Sequence, residues 1–192
     1  MWVRRSAIRP VPRFAQVPAK AVAAAFALLS RPDPTARARE GFERLAAEQP
    51  PLARYLRQRV EQPLDTAALA LGHLLAASVY LAFESAFGPR LSVASEDAVS
   101  SVELSLAADE ALRQSDPIDA LDSEDIVGIE QPSLVAFVNE QIDETLKRHA
   151  GSIDVDHVAV VFRAVLVQIL VLSQSVAPPP GHSTGRAPEP LA

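Results

Sequence analysis

Apolar residues recur along most of this chain at spacings of three and four, which predicts amphipathic or buried helices rather than strands. Residues 19–30 read as a first short helix. Asp33-Pro34 opens the next, because aspartate accepts from free helix N–H groups and proline suits the first turn. That helix runs to about Ala47 with Phe42 and Leu45 inward. Pro50-Pro51 then starts a third, carrying Leu52, Tyr55, Leu56 and Val60. Pro63 and the cap residue Asp65 begin a long apolar helix through Phe87, stopped by Gly88-Pro89.

Ser95 caps a helix over about 96–114. Val102, Leu104 and Leu106 alternate there as a strand would, but the helix formers from Ala107 to Arg113 favour the helix. Asp116-Pro117 begins a short helical stretch, interrupted near Ser123. After it, Leu134, Phe137, Val138, Gln141, Ile142, Thr145 and Leu146 trace one stripe, closed by Lys147, Arg148 and Gly151. Asp154 caps a last apolar helix to about Val176.

The chain also resembles itself. Glu48-Gln49-Pro50-Pro51-Leu52 recurs as Glu130-Gln131-Pro132-Ser133-Leu134, and at the same offset Tyr55 meets Phe137, Leu56 meets Val138 and Val60 meets Ile142. Asp33-Pro34 echoes Asp116-Pro117, and Leu64-Asp65 echoes Ile153-Asp154 ahead of the two long apolar helices. The expected fold is therefore all-α: a helical bundle of about seven helices from two related three-helix halves, pseudo-twofold, with those two helices central. The repeat units span about 33–87 and 116–176, joined by a linking helix at about 95–114, in a single domain over 19–176. Residues 1–18 are expected to form a flexible basic arm, and 177–192 a disordered Pro/Gly-rich tail.

Composition narrows the chemistry. The 192 residues include no cysteine, which excludes disulfides, thiolate metal sites and cysteine nucleophiles. Arginine far outnumbers lysine, as in GC-rich bacterial coding sequences, and a cytoplasmic location is expected. The net charge of −6 is unevenly laid out. Residues 1–62 hold twelve Lys/Arg against five Asp/Glu, whereas 96–130 hold eleven acids and one base, Arg113. These regions can attract each other within one molecule or between two.

Residues 66–83 carry no Asp, Glu, Lys or Arg, and Val158–Val176 is interrupted by Arg163 and Gln168. Both read as core helices rather than transmembrane spans. The basic residues before Ala21–Leu29 superficially resemble an export signal, but Pro10, Pro12 and Pro18 break the basic region and no small-x-small cleavage site follows Leu29.

Candidate chemistry is thin. His73 lies on the first long helix, at a position whose repeat counterpart is Phe162, which favours packing over ligation. Asp154, Asp156 and His157 form the one acid–histidine cluster, explained by helix capping, while a di-iron site would need Glu-x-x-His motifs that are absent. Glu84 and Arg163 are lone charges on the two apolar helices; either they pair across them, or each sits at a helix end or snorkels outward. Arg54, Arg57 and Arg59 give one short helix a modest basic side. No Gly-x-Ser-x-Gly, dinucleotide fingerprint or Walker loop occurs, so no catalytic, cofactor-binding or metal residue is assigned and no cofactor is expected.

The pattern favours a non-enzymatic protein–protein interaction, regulatory or assembly module, with a protein partner or homo-oligomerisation. Alternatives are membrane-surface association through residues 1–30 (arginines with Trp2, Phe14 and Phe26), nucleic-acid contact by the same arm, or a small enzyme with a cleft between the halves.

Overall fold

The computed structural model describes residues 7–60, 64–115 and 123–181, and these are all-helical. Its helices are α1 (Ala19–Leu29), α2 (Pro34–Glu48), α3 (Pro50–Val60), α4 (Thr66–Phe87), α5 (Glu96–Ser115), α6 (Ser123–Glu130), α7 (Pro132–Arg148) and α8 (Val155–Gln174). Among the described residues, eight α-helices thus stand where about seven were expected. Single turns of 3₁₀ helix cover Arg13–Ala15 and Gly88–Arg90.

Local chemistry sets the helix ends. Asp33, Asp65 and Asp154 each accept from a backbone N–H in the first turn, from Ala36, Ala68 and Asp156 respectively. Ser95 does the same for Ala98. Within α5, Val102 and Leu106 are buried and Leu104 is 71% exposed, so the alternating apolar residues are read out at helical, not strand, period.

The two long apolar helices lie side by side and parallel. Asp154 N meets Asp65 Oδ2 at the start of the pair, and further on Gln168 Nε2 donates to the Ala76 carbonyl at 2.8 Å. By length and composition both could cross a membrane, but 61% of each apolar stretch is buried among the other helices. Around this pair, α1 packs on α4, α2 and α7, while α5 packs on α8, α6 and α3. Helix α2 packs on α3 and α4, and α6 on α7 and α8. Helix α3 touches α8 as well as α4, and α7 touches α4 as well as α8. One hydrophobic cluster, from Ile8 to Val176, joins all of them.

The described part of the expected flexible arm packs on the body. Ile8, Val11, Ala15 and Val17 are buried, and the backbone N–H groups of Ala7 and Val11 donate to Asp109 Oδ1 and Glu130 Oε2. An extended segment rich in proline has few internal hydrogen bonds, so carboxylates on the body satisfy its backbone instead. Residues 1–6, like most of the expected tail (182–192), lie outside the described residues.

Two buried glutamines hold such segments in the same way. Gln49 (2% exposed) separates α2 from α3, and Gln131 (0% exposed) separates α6 from α7. Their backbones have φ/ψ of −132°/60° and −134°/62°. Gln49 Oε1 accepts from Ala94 N at 2.9 Å and its Nε2 donates to the Ser92 carbonyl at 3.0 Å, just before α5. Gln131 Oε1 accepts from Val17 N at 2.9 Å and its Nε2 donates to the Ala15 carbonyl at 2.7 Å, just before α1.

Candidate binding cleft

The charge segregation seen in the sequence is used in part within the molecule. Arg54 on α3 pairs with Glu96 on α5, and Arg59 pairs with Glu103. Arg57 reaches Glu43 at 3.4 Å and lies over the Phe42 ring. The basic side of α3 is therefore a face for acidic α5 rather than an open stripe for phosphates.

The Glu84–Arg163 pair does not form. Glu84 pairs with Arg44 of α2, while Arg163 meets Glu110 at 3.1 Å and Glu103 at 3.9 Å on α5. The cause is the parallel register. With Asp65 beside Asp154, Glu84 stands about ten residues farther along the pair than Arg163, roughly 15 Å at the helix rise. Burial pushes the Glu84 carboxyl above its ordinary range, with Arg44 opposing and Glu48 adding to the rise.

Asp154 and His157 do come together, but with Asp65 rather than in a metal set; Asp156 enters as the residue whose N–H Asp154 caps. His157 Nδ1 lies 3.1 Å from Asp65 Oδ2 and 3.2 Å from Asp65 N. Among the described residues no group of three or more His, Asp or Glu is placed to hold a metal ion. The backbone N–H groups of Ala68 and Asp154 hold the Asp65 carboxyl well below its ordinary 3.8, at about 2. A depressed pKa adds stability only where the unfolded carboxyl is also ionised. The stabilisation by the Asp65 charge should thus be complete above about pH 4 and lost as pH falls toward 2. An asparagine in its place keeps an acceptor for Ala68 N without the charge. Urea midpoints of wild type and Asp65→Asn should differ by a constant amount just above that window and by a shrinking amount within it; a gap as wide at pH 2 as at pH 5 would refute the assignment.

A cleft of about 580 Å³ lies between the start of α2, the first half of α4 and the end of α7. This lies within the usual size range for ligand sites. Ala38, Ala67, Ala70, Leu71 and Leu74 make its floor and walls. Arg39, His73, Arg148 and His149 add basic groups, and Thr35, Thr66 and Ser152 add hydroxyls.

No described carboxylate pairs with Arg39, and Arg148 has only an exposed contact to Glu144 at 3.4 Å. Asp65 is the one acid in the lining, and its oxygens already accept from Ala68 N and Asp154 N. The Ser152 hydroxyl donates to the His149 carbonyl, so it is not poised as a nucleophile. The His73 ring packs edge-on to Phe42 at 5.0 Å, in keeping with a packing role, and the residue also lines the cleft.

No family model, curated protein or solved structure matches this chain.

Sequence reasoning finds His73 but misses Arg39, Arg148 and His149. In the sequence Arg148 is explained by the negative end of α7, and nothing local brings Arg39 to it. Phe14 and Phe26, candidates for a membrane surface, pack on the core, Phe26 against Phe137 at 5.3 Å. Trp2 lies outside the described residues.

Proposed function

We propose that this chain is a non-enzymatic interaction module, built from two related four-helix halves, that receives an acidic segment of a partner protein in the α2–α4–α7 cleft. The single observation that carries this reading is the gathering of Arg39, Arg148, His73 and His149 on a concave wall of apolar and hydroxyl side chains whose one carboxylate is already engaged. A surface of that kind complements acidic side chains set among apolar ones.

The duplication is supported by the packing. If α1 to α4 are exchanged with α5 to α8, every helix–helix contact described above maps onto another contact in the same set. The clamps follow the same exchange, since Gln49 in one half grips the lead-in to α5 and Gln131 in the other grips the lead-in to α1. Each half therefore completes the other. On this reading, α5 is the counterpart of α1 and not a linker, and the unit has four helices rather than three.

A fluorescent peptide with alternating glutamate and leucine turns should bind the full chain, weaken strongly with added salt, and lose affinity in Arg148→Glu. Its lysine counterpart should not bind. Equal affinity for both peptides, or affinity indifferent to salt, would remove the basis for the proposal.

A further inference from the structure

We infer that the element recognised in this cleft is a single carboxylate on a short aliphatic stem, with Arg39 and Arg148 meeting the charge and Leu71 and Leu74 the stem. The inference rests on the reading of the cleft as the binding surface and narrows its ligand.

Three observations select this class. First, arginine presents a planar fork that matches a carboxylate, and two arginines line the wall, Arg39 with no carboxylate partner among the described residues and Arg148 with only the exposed Glu144 at 3.4 Å. Second, the lining holds no Trp, Tyr or Phe, whereas the side chains of Ala67, Ala70, Leu71 and Leu74 suit an alkyl stem.

Third, the usual phosphate cradle is already partly filled. The cleft lies at the N-termini of α2 and α4, where free N–H groups would favour a phosphate. The side chains of Asp33 and Asp65 accept from Ala36 N at 3.1 Å and Ala68 N at 2.8 Å. Asp65 also brings a negative charge to the wall, which opposes a dianion more than a monoanion. A carboxylate of this kind can come from the C-terminus of a partner chain or from a free alkanoic acid.

Isotope-labelled full-length protein titrated with octanoate, octyl phosphate, octanol, and a leucine-ended peptide as free acid or amide tests this by amide shifts. Octanoate should shift Thr35, Arg39, Leu71 and His149 saturably. Arg39→Ala and Arg148→Ala, both exposed positions, should each weaken it roughly tenfold. Octanol and octyl phosphate should bind more weakly than octanoate.

Between the two sources, a tighter fit of the peptide acid than its amide identifies a partner's C-terminus, and binding of octanoate alone identifies a free acid. Octyl phosphate binding as tightly as octanoate overturns the inference. So does binding of the glutamate–leucine peptide at the cleft without octanoate or peptide acid, an outcome that spares the module reading. Silence from every anion removes both.

Discussion

Replacing Gln131 with alanine should lower the stability of the fold by about 3–5 kcal/mol, mostly by orphaning backbone groups. The side chain makes three hydrogen bonds: from Val17 N, to the Ala15 carbonyl and to Ser173 Oγ at 2.9 Å. Ser173 keeps a second bond, to the Ile169 carbonyl, and loses little. Val17 N and the Ala15 carbonyl belong to buried residues on a segment without a ladder partner, and each unsatisfied group costs about 1–3 kcal/mol.

For a chain of this size the melting temperature should fall by roughly 10 °C. Leucine at 131 restores the volume but not the bonds, so it should rescue only the cavity part of the loss. Gln49→Ala removes the matching pair at Ala94 and Ser92 and should cost about 2–4 kcal/mol by the same reasoning. Thermal and urea unfolding of the three variants read this directly. Mild behaviour of Gln131→Ala alongside a large effect of Gln49→Ala would break the equivalence on which the proposed two-half architecture stands.

Much of the helical layout was legible because its signals are local. Asp33, Asp65 and Asp154 stand just before their helices, and each side chain caps one. The repeated Glu-Gln-Pro marked the starts of α3 and α7, but read as punctuation for proline it concealed the glutamine's work. Gln131 bonds Val17 N across 114 positions of sequence, and such a contact leaves no trace in residue spacing. The same limit hid the packing of Ile8 and Val11, whose apolar side chains are too sparse among prolines to show a period. It also misdirected Glu84 and Arg163. That two apolar helices meet could be inferred from their hydrophobicity, but whether they run parallel depends on the path of the whole chain. For the cleft, the sequence supplied His73 alone, because Arg39 and Arg148 approach from α2 and α7 only once both helices pack on α4.

The second large effect is expected at Gly41, where α2 crosses α4 too closely for a side chain. A Cβ there would stand 2.8 Å from Ala77 Cβ, 3.5 Å from Leu29 Cδ2 and 3.6 Å from Leu81 Cδ1. The leucine arms can turn aside. The Ala77 methyl is fixed to the backbone of α4, so the helices themselves must separate. Alanine gains about 1 kcal/mol of helix propensity over glycine, against about 1–3 kcal/mol for overpacking, so Gly41→Ala should lose about 1 kcal/mol net. Gly41→Val adds branching at the same point and should lose about 3 kcal/mol or more. Gly128 on α6 is the internal control, since its Cβ would meet nothing nearer than Val135 Cγ1 at 3.6 Å. Gly128→Ala should therefore stabilise the chain by up to about 1 kcal/mol. Opposite signs at the two glycines separate close approach from propensity, because propensity favours alanine at both. Equal stabilisation by alanine at 41 and 128 would mean that α2 rides higher on α4 than described, and the wall that carries Arg39 into the cleft would move with it.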